Sequence, residues 1–100
     1  MENLNLIKIY KVSEDVVARE IKGEMIIIPL VAGIADIDDE LFALNETGQA
    51  IWKQLDGQKT LAEIAITLAS EYKADRNLVE QDVVGLTREL FKRGMVVEVG

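Results

Sequence analysis

The sequence predicts an α+β domain, a small antiparallel N-terminal sheet of about three strands followed by three helices in a winged-helix-like outline. Three observations carry that reading. Up to Leu44 the apolar residues alternate or run together as they do in strands, whereas beyond Asn45 they recur every three or four residues. Thr60 and Glu63 have the spacing of a capping box, a strong helix start. The chain has 100 residues, the size of one ordinary domain, and 49% of them are apolar, enough to bury a core.

The N-terminal stretch, residues 1–16, stands apart as an arm or extra strand ahead of a domain over residues 17–100. Leu4, Leu6, Ile7, Ile9 and Tyr10 alternate only loosely, which fits a strand, an arm or a frayed end. Val17 to Ile21 and Met25 to Leu30 flank Lys22-Gly23-Glu24, so they form a hairpin turning at the glycine. Pro29 has no N–H to give a ladder and belongs at an edge or a bulge. The third extended run is Glu40 to Leu44, with Leu41 and Ala43 on one face and Phe42 and Leu44 on the other. Asn45 caps a first helix whose face is Ala50, Ile51 and Leu55 and which ends at Asp56-Gly57. The capping box opens a second helix with Leu61, Ile64, Ala65 and Leu68 inward. A third starts at Asp75 or Asn77, repeats Val79, Val83, Leu86 and Leu90, and stops at Gly94. Met95 to Val99 is a last strand or an extended tail. The longest apolar run, Met25 to Ala35, is broken by Pro29 and Gly33 and is far shorter than the ~20 residues of a membrane span.

Composition excludes most chemistries. There is no histidine and no cysteine, hence no imidazole base, no thiol nucleophile and no zinc site of the usual nitrogen or sulfur kind. The seven glycines are dispersed and form no phosphate loop. Asp36, Asp38, Asp39 and Glu40 lack calcium-loop spacing and read as a solvated acidic loop. The sequon-like Asn45-Glu46-Thr47 is better read as a helix cap. No cofactor or metal is expected. The net charge of −7 disfavours phosphate backbones and anionic membranes; it is concentrated in residues 1–44, with nine acids and four bases. The lack of cysteine, with no basic and apolar leader over Met1 to Tyr10, argues for the cytoplasm.

Leu44-Asn45-Glu46-Thr47-Gly48, Ile51-Trp52, Leu55-Asp56-Gly57 and Thr60 together resemble the signature of the PqqD family. The likeness continues through Glu63-Ile64, Leu68, Glu71-Tyr72, Asp82-Val83, Leu90 and Gly94-Met95, and departs from the family at Leu86-Thr87, where an apolar pair is usual, and in the first sixteen residues. The resemblance implies a RiPP recognition element: a non-catalytic module that binds the leader of a ribosomally made precursor peptide and presents it to a modifying enzyme, often a radical SAM protein. It also implies that the leader adds as a strand to the third strand and lies against the third helix, a mode that satisfies the backbone groups of an exposed edge.

On that basis Leu41, Phe42, Ala43 and Leu44 are the expected strand partners. A helical wheel adds a shoulder of Val84, Thr87 and Phe91 beside the core stripe, with Arg88 and Lys92 placed to meet an acidic leader residue. The alternatives are that Val84 and Phe91 close the core, and that Arg88 and Lys92 are merely solvated. Trp52 reads as core. Two rival functions are a winged-helix DNA binder, disfavoured because Glu80, Asp82 and Glu89 cancel Arg88, Lys92 and Arg93 on the third helix, and a domain that forms homodimers through its N-terminal arm.

Overall fold

A computed structural model describes residues 6–30 and 42–99. The expected class holds: antiparallel sheet and three helices. The strands, however, divide into two sheets, and one strand lies between the first two helices while another follows the third.

The first sheet has the order β2-β3-β4, from β2 (Val16–Ile21), β3 (Glu24–Pro29) and β4 (Phe42–Leu44). Lys22 and Gly23 take φ of 53° and 85°, the left-handed pair that a two-residue hairpin requires, and they set the register from Ile21 opposite Glu24 to Val16 opposite Pro29. That register turns Val16, Met25 and Ile27 into the core. β3 is the central strand rather than an edge. Pro29 is tolerated because it is the strand's last residue, two beyond Ile27, where the ladder to β4 ends among the described residues. β4 pairs Phe42 with Ile27 and Leu44 with Met25. Leu41 and the acidic residues Asp36, Asp38, Asp39 and Glu40 lie outside the described residues.

The second sheet has the order β5-β1-β6, from β1 (Ile9–Val12), β5 (Asp56–Thr60) and β6 (Val96–Val99). Of the alternatives for the N-terminal stretch, residues 9–12 form a strand, and a central one. Tyr10 is buried in the core, and the carbonyls of Lys8 and Leu6 accept from the amides of Leu61 and Ala62, two of the donors that a helix start leaves unpaired. A dimer that swapped this strand would have to remake ladders on both of its sides. β5 occupies the segment read above as the end of the first helix.

The helices are α1 (Glu46–Gln54), α2 (Leu61–Tyr72) and α3 (Arg76–Lys92). Asn45 caps α1 through a 2.8 Å bond from the Gly48 amide, and Asp75 caps α3 by accepting from Asn77 and Leu78. At the start of α2 both halves of the capping box form: Glu63 N–H donates to Thr60 Oγ1 at 3.1 Å and Thr60 N–H donates to Glu63 Oε1 at 2.8 Å. The core unites both sheets and all helices through Tyr10, Ile27, Leu44, Ile51, Leu61, Ile64, Val83, Leu90 and Val96, with Trp52 among the buried residues as expected. Among the described residues no helix is long and apolar enough to cross a membrane.

Candidate functional site

The geometry of β4 decides what this molecule offers a partner. One side of β4 is taken by β3; among the described residues no strand pairs with the other. Phe42 and Leu44 turn inward and Ala43 faces out, so the strand is anchored by its side chains, and its second edge is unpaired among the described residues. Gly48 brings α1 hard against the end of this strand: a Cβ there would stand 3.2 Å from Leu44 Cβ. Gln49 fastens the same corner, its amide donating to the carbonyls of Gly23 at 3.0 Å and Leu44 at 3.2 Å.

Where β4 leads into α1, a groove lies between the start of α1 and α3. Asp82 and Leu86 face Asn45, Thr47, Gly48 and Ile51 across a cavity of about 270 Å³. At the Phe42 end the Arg93 guanidinium lies 4.9 Å from the Phe42 ring centroid, a cation–π contact, and Arg93 Nε donates to Glu89 Oε2 at 2.8 Å. Asp82 and Leu86 are thus the α3 side of this groove, and Arg93, just past the end of α3, reaches Phe42.

The residues singled out on the third helix from sequence sit elsewhere. Thr87 is fully buried, so it faces the core rather than an exposed shoulder, and its Oγ1 has no hydrogen-bond partner among the described residues. Phe91 is 46% exposed and packs edge-on against Tyr10 of β1, with centroids 5.8 Å apart and planes at 79°. Val84 and Arg88 line an open cavity with Leu6 on that same side. Lys92 is exposed, and neither it nor Arg88 forms an ion pair among the described residues. Val84, Arg88 and Phe91 thus look toward the N-terminal segment, across the helix from β4. Of the expected site residues, Phe42, Ala43 and Leu44 come together on the edge. The sequence pattern puts Leu86 in the core stripe and singles out neither Asp82 nor the Glu89–Arg93 pair, although Asp82-Leu86 and Glu89-Arg93, each four residues apart, mark the other flank of that stripe.

Among the described residues, two groups titrate away from their ordinary values. Burial, and then the Glu98 carboxylate, raise the Tyr10 phenol, partly offset by Lys8. The ammonium of Lys59, 2.8 Å away, and then the Gln58 amide hold the exposed Asp56 carboxyl below the usual range. Neither lies in the groove. Among the described residues no three carboxylates gather as a metal site.

Comparison with known proteins fits this geometry. The PqqA binding proteins of Xanthomonas campestris pv. campestris are similar over 58 residues: 34% identical in strain B100 and 33% in strain 8004, covering 58% of this chain and 63% of each relative. The chain thus spans less than two thirds of the length of those relatives. TbiB1, solved in complex with the TbiA(beta) leader peptide, superposes with a TM-score of 0.69 at 30% identity, over 86% of this chain and 93% of TbiB1. Lasso peptide synthetase B1 complexed with a leader peptide shares the fold at 24% identity, with a TM-score of 0.71 over 88% of this chain and 96% of that one. The PqqD truncation of Methylobacterium extorquens PqqCD, a recognition element solved by NMR, shares it at 21% identity, with a TM-score of 0.68 over 89% and 88%. The family model for coenzyme PQQ synthesis protein D matches residues 31–96, from just after β3 through the first residue of β6, and the chain belongs to that PqqD family.

Proposed function

We propose that this protein binds the leader of a ribosomally made precursor peptide as an added strand on β4 and presents it to a maturation enzyme in the cytoplasm, a radical SAM protein being the partner that the family resemblance implies. The observation that carries the reading is the edge of Phe42–Leu44, which no strand pairs among the described residues, next to the groove between α1 and α3. An extended peptide satisfies such an edge with its own backbone, and its alternate side chains fall into the groove. The relatives support it: those in Xanthomonas are named for binding PqqA, and TbiB1 was solved with a leader peptide. The protein performs no chemistry itself, in keeping with a sequence without histidine or cysteine.

Peptides selected from a random 12-residue phage library on the immobilised chain, then resynthesised and titrated against the ¹⁵N-labelled protein, test the site. Shifts should gather on Phe42–Leu44, Asp82, Leu86 and Arg93, and the mass of the peptide should be unchanged after incubation. Shifts confined to Val84, Arg88, Phe91 and Lys92 would move the site to the other face of α3, where a half-exposed ring and two cations without ion pairs offer the second reading. DNA binding is disfavoured further by the structure, since Arg76 and Arg93 are held by Glu80 and Glu89 on the same helix.

A further inference from the structure

At the end of the β4 groove, past Leu44, lies a second pocket of about 230 Å³ between α1, the end of α2 and the start of α3. Thr47, Ile51 and Asp82 line both cavities, so the pocket continues the groove. We infer that this pocket takes a lysine or arginine side chain of the bound peptide, its carbon stem on Ala50, Ile51, Leu68 and Val79 and its cationic head between the carboxylates of Glu46 and Asp82. This rests on the peptide-binding reading above and adds to it the chemistry of one recognised residue.

The floor is apolar and two of its members, Ile51 and Leu68, are buried, which suits a hydrocarbon stem. The rim is acidic. Glu46 and Asp82 are exposed and neither is in an ion pair among the described residues, so both carboxylates can meet a charge brought by the guest. No lysine or arginine lines the pocket, and Arg76, at the start of α3, is tied to Glu80. An apolar or acidic occupant would bring two carboxylates out of water without a counter-charge. A basic one supplies that charge and presents donors to both.

Selection of the same phage library on wild type and on the Glu46→Gln, Asp82→Asn double variant tests this. Both positions are exposed and both changes are nearly isosteric, so a matching melting temperature is the control for folding. Wild type should enrich peptides with Lys or Arg at one fixed position. Resynthesised peptides should bind the double variant roughly tenfold more weakly, as loss of a charged hydrogen-bonded contact entails. Replacing that Lys by norleucine should weaken binding to wild type and leave binding to the double variant unchanged. Peptides that shift Phe42–Leu44 yet show no basic preference, or bind both proteins equally, overturn the inference and leave the strand site standing. Peptides that leave Phe42–Leu44 unshifted, or a library from which none is recovered, overturn the strand site and the inference together.

Discussion

Replacing Phe91 by alanine separates the two faces of α3, because the structure assigns this ring to the fold and the groove to the opposite flank. The side chain is 46% exposed, so about half of the roughly 200 Å² of an aromatic side chain leaves water on folding, about 2.5 kcal/mol at 25 cal/mol per Å². The edge-to-face contact with Tyr10 adds about 1 kcal/mol, and alanine returns about 0.5 kcal/mol through its better helix propensity. Area-based values are upper estimates, so the net loss is about 2–3 kcal/mol, a fall in Tm of roughly 10–20 °C for a domain of this size. That is less than the ~3–5 kcal/mol of a fully buried phenylalanine. Urea unfolding measures the loss, and a titration at a temperature where the variant is folded measures peptide affinity, which should stay within about twofold since the ring faces β1. The companion Leu86→Ala should do the reverse, weakening peptide by about tenfold, as for a truncated anchor residue. A Phe91→Ala protein that keeps its stability within ~0.5 kcal/mol but loses peptide tenfold would refute the assignment and put the site on the Val84–Lys92 face.

Thr87→Val should stabilise the protein by about 1 kcal/mol in urea unfolding, because it removes a buried hydroxyl without a hydrogen-bond partner at nearly constant volume and helix propensity, and a drop in stability would mean that the hydroxyl is bonded in solution. Gly48→Ala sets ~1 kcal/mol of helix preference against overpacking of ~1–3 kcal/mol on Leu44 Cβ, which is fixed to the backbone and cannot swing away; a net loss of about 1 kcal/mol is expected, and a higher Tm would show that α1 is free to shift off β4. The neutral phenol of Tyr10 is favoured by the fold, so its contribution is intact below the ordinary value of 10.0 and is lost as pH rises through the raised folded value. Stability measured at pH 8 and above pH 10 should therefore fall more steeply in wild type than in Tyr10→Phe, and equal slopes would contradict the assignment.

Local signals in this sequence were legible wherever one residue type fixes a backbone geometry. Lys22-Gly23 located the hairpin, Asn45 and Thr60 with Glu63 located two helix starts, and the third was narrowed to Asp75 or Asn77, of which Asp75 is the cap, because each needs only its neighbours to act. β5 was not legible: Asp56-Gly57-Gln58-Lys59-Thr60 has no apolar alternation and is a strand only because β1 lies beside it. For the same reason β1 left open whether it was a strand or an arm, since its partners come from the other half of the chain. The core stripe of α3 was also visible, with Val83 and Leu90 fully buried. A helical wheel gives two flanks to such a stripe and does not say which of them faces β4. The flank with Val84 and Phe91 is the more apolar, and hydrophobicity alone favours it. The tertiary fold turns that flank toward β1 and Leu6, which cover part of its apolar surface.

The first sheet has two outer edges, β2 with six residues and β4 with three, and the shorter is the better candidate for a guest strand. β2 carries Arg19 and Glu20, the latter in an ion pair with Lys53 of α1 at 3.5 Å, and charges along an edge discourage pairing. Phe42-Ala43-Leu44 carries no charge. Three residues of ladder nonetheless supply only a few hydrogen bonds at about 1 kcal/mol net each, and an association cost of several kcal/mol consumes most of that. Backbone pairing on β4 therefore fixes direction and register, while affinity has to come from side chains entering the groove and the pocket beyond it. Leu86, Asp82 and Glu46 should then govern which peptide is held, and Ala43, whose side chain faces away from the core, should tolerate substitution so long as the strand remains extended.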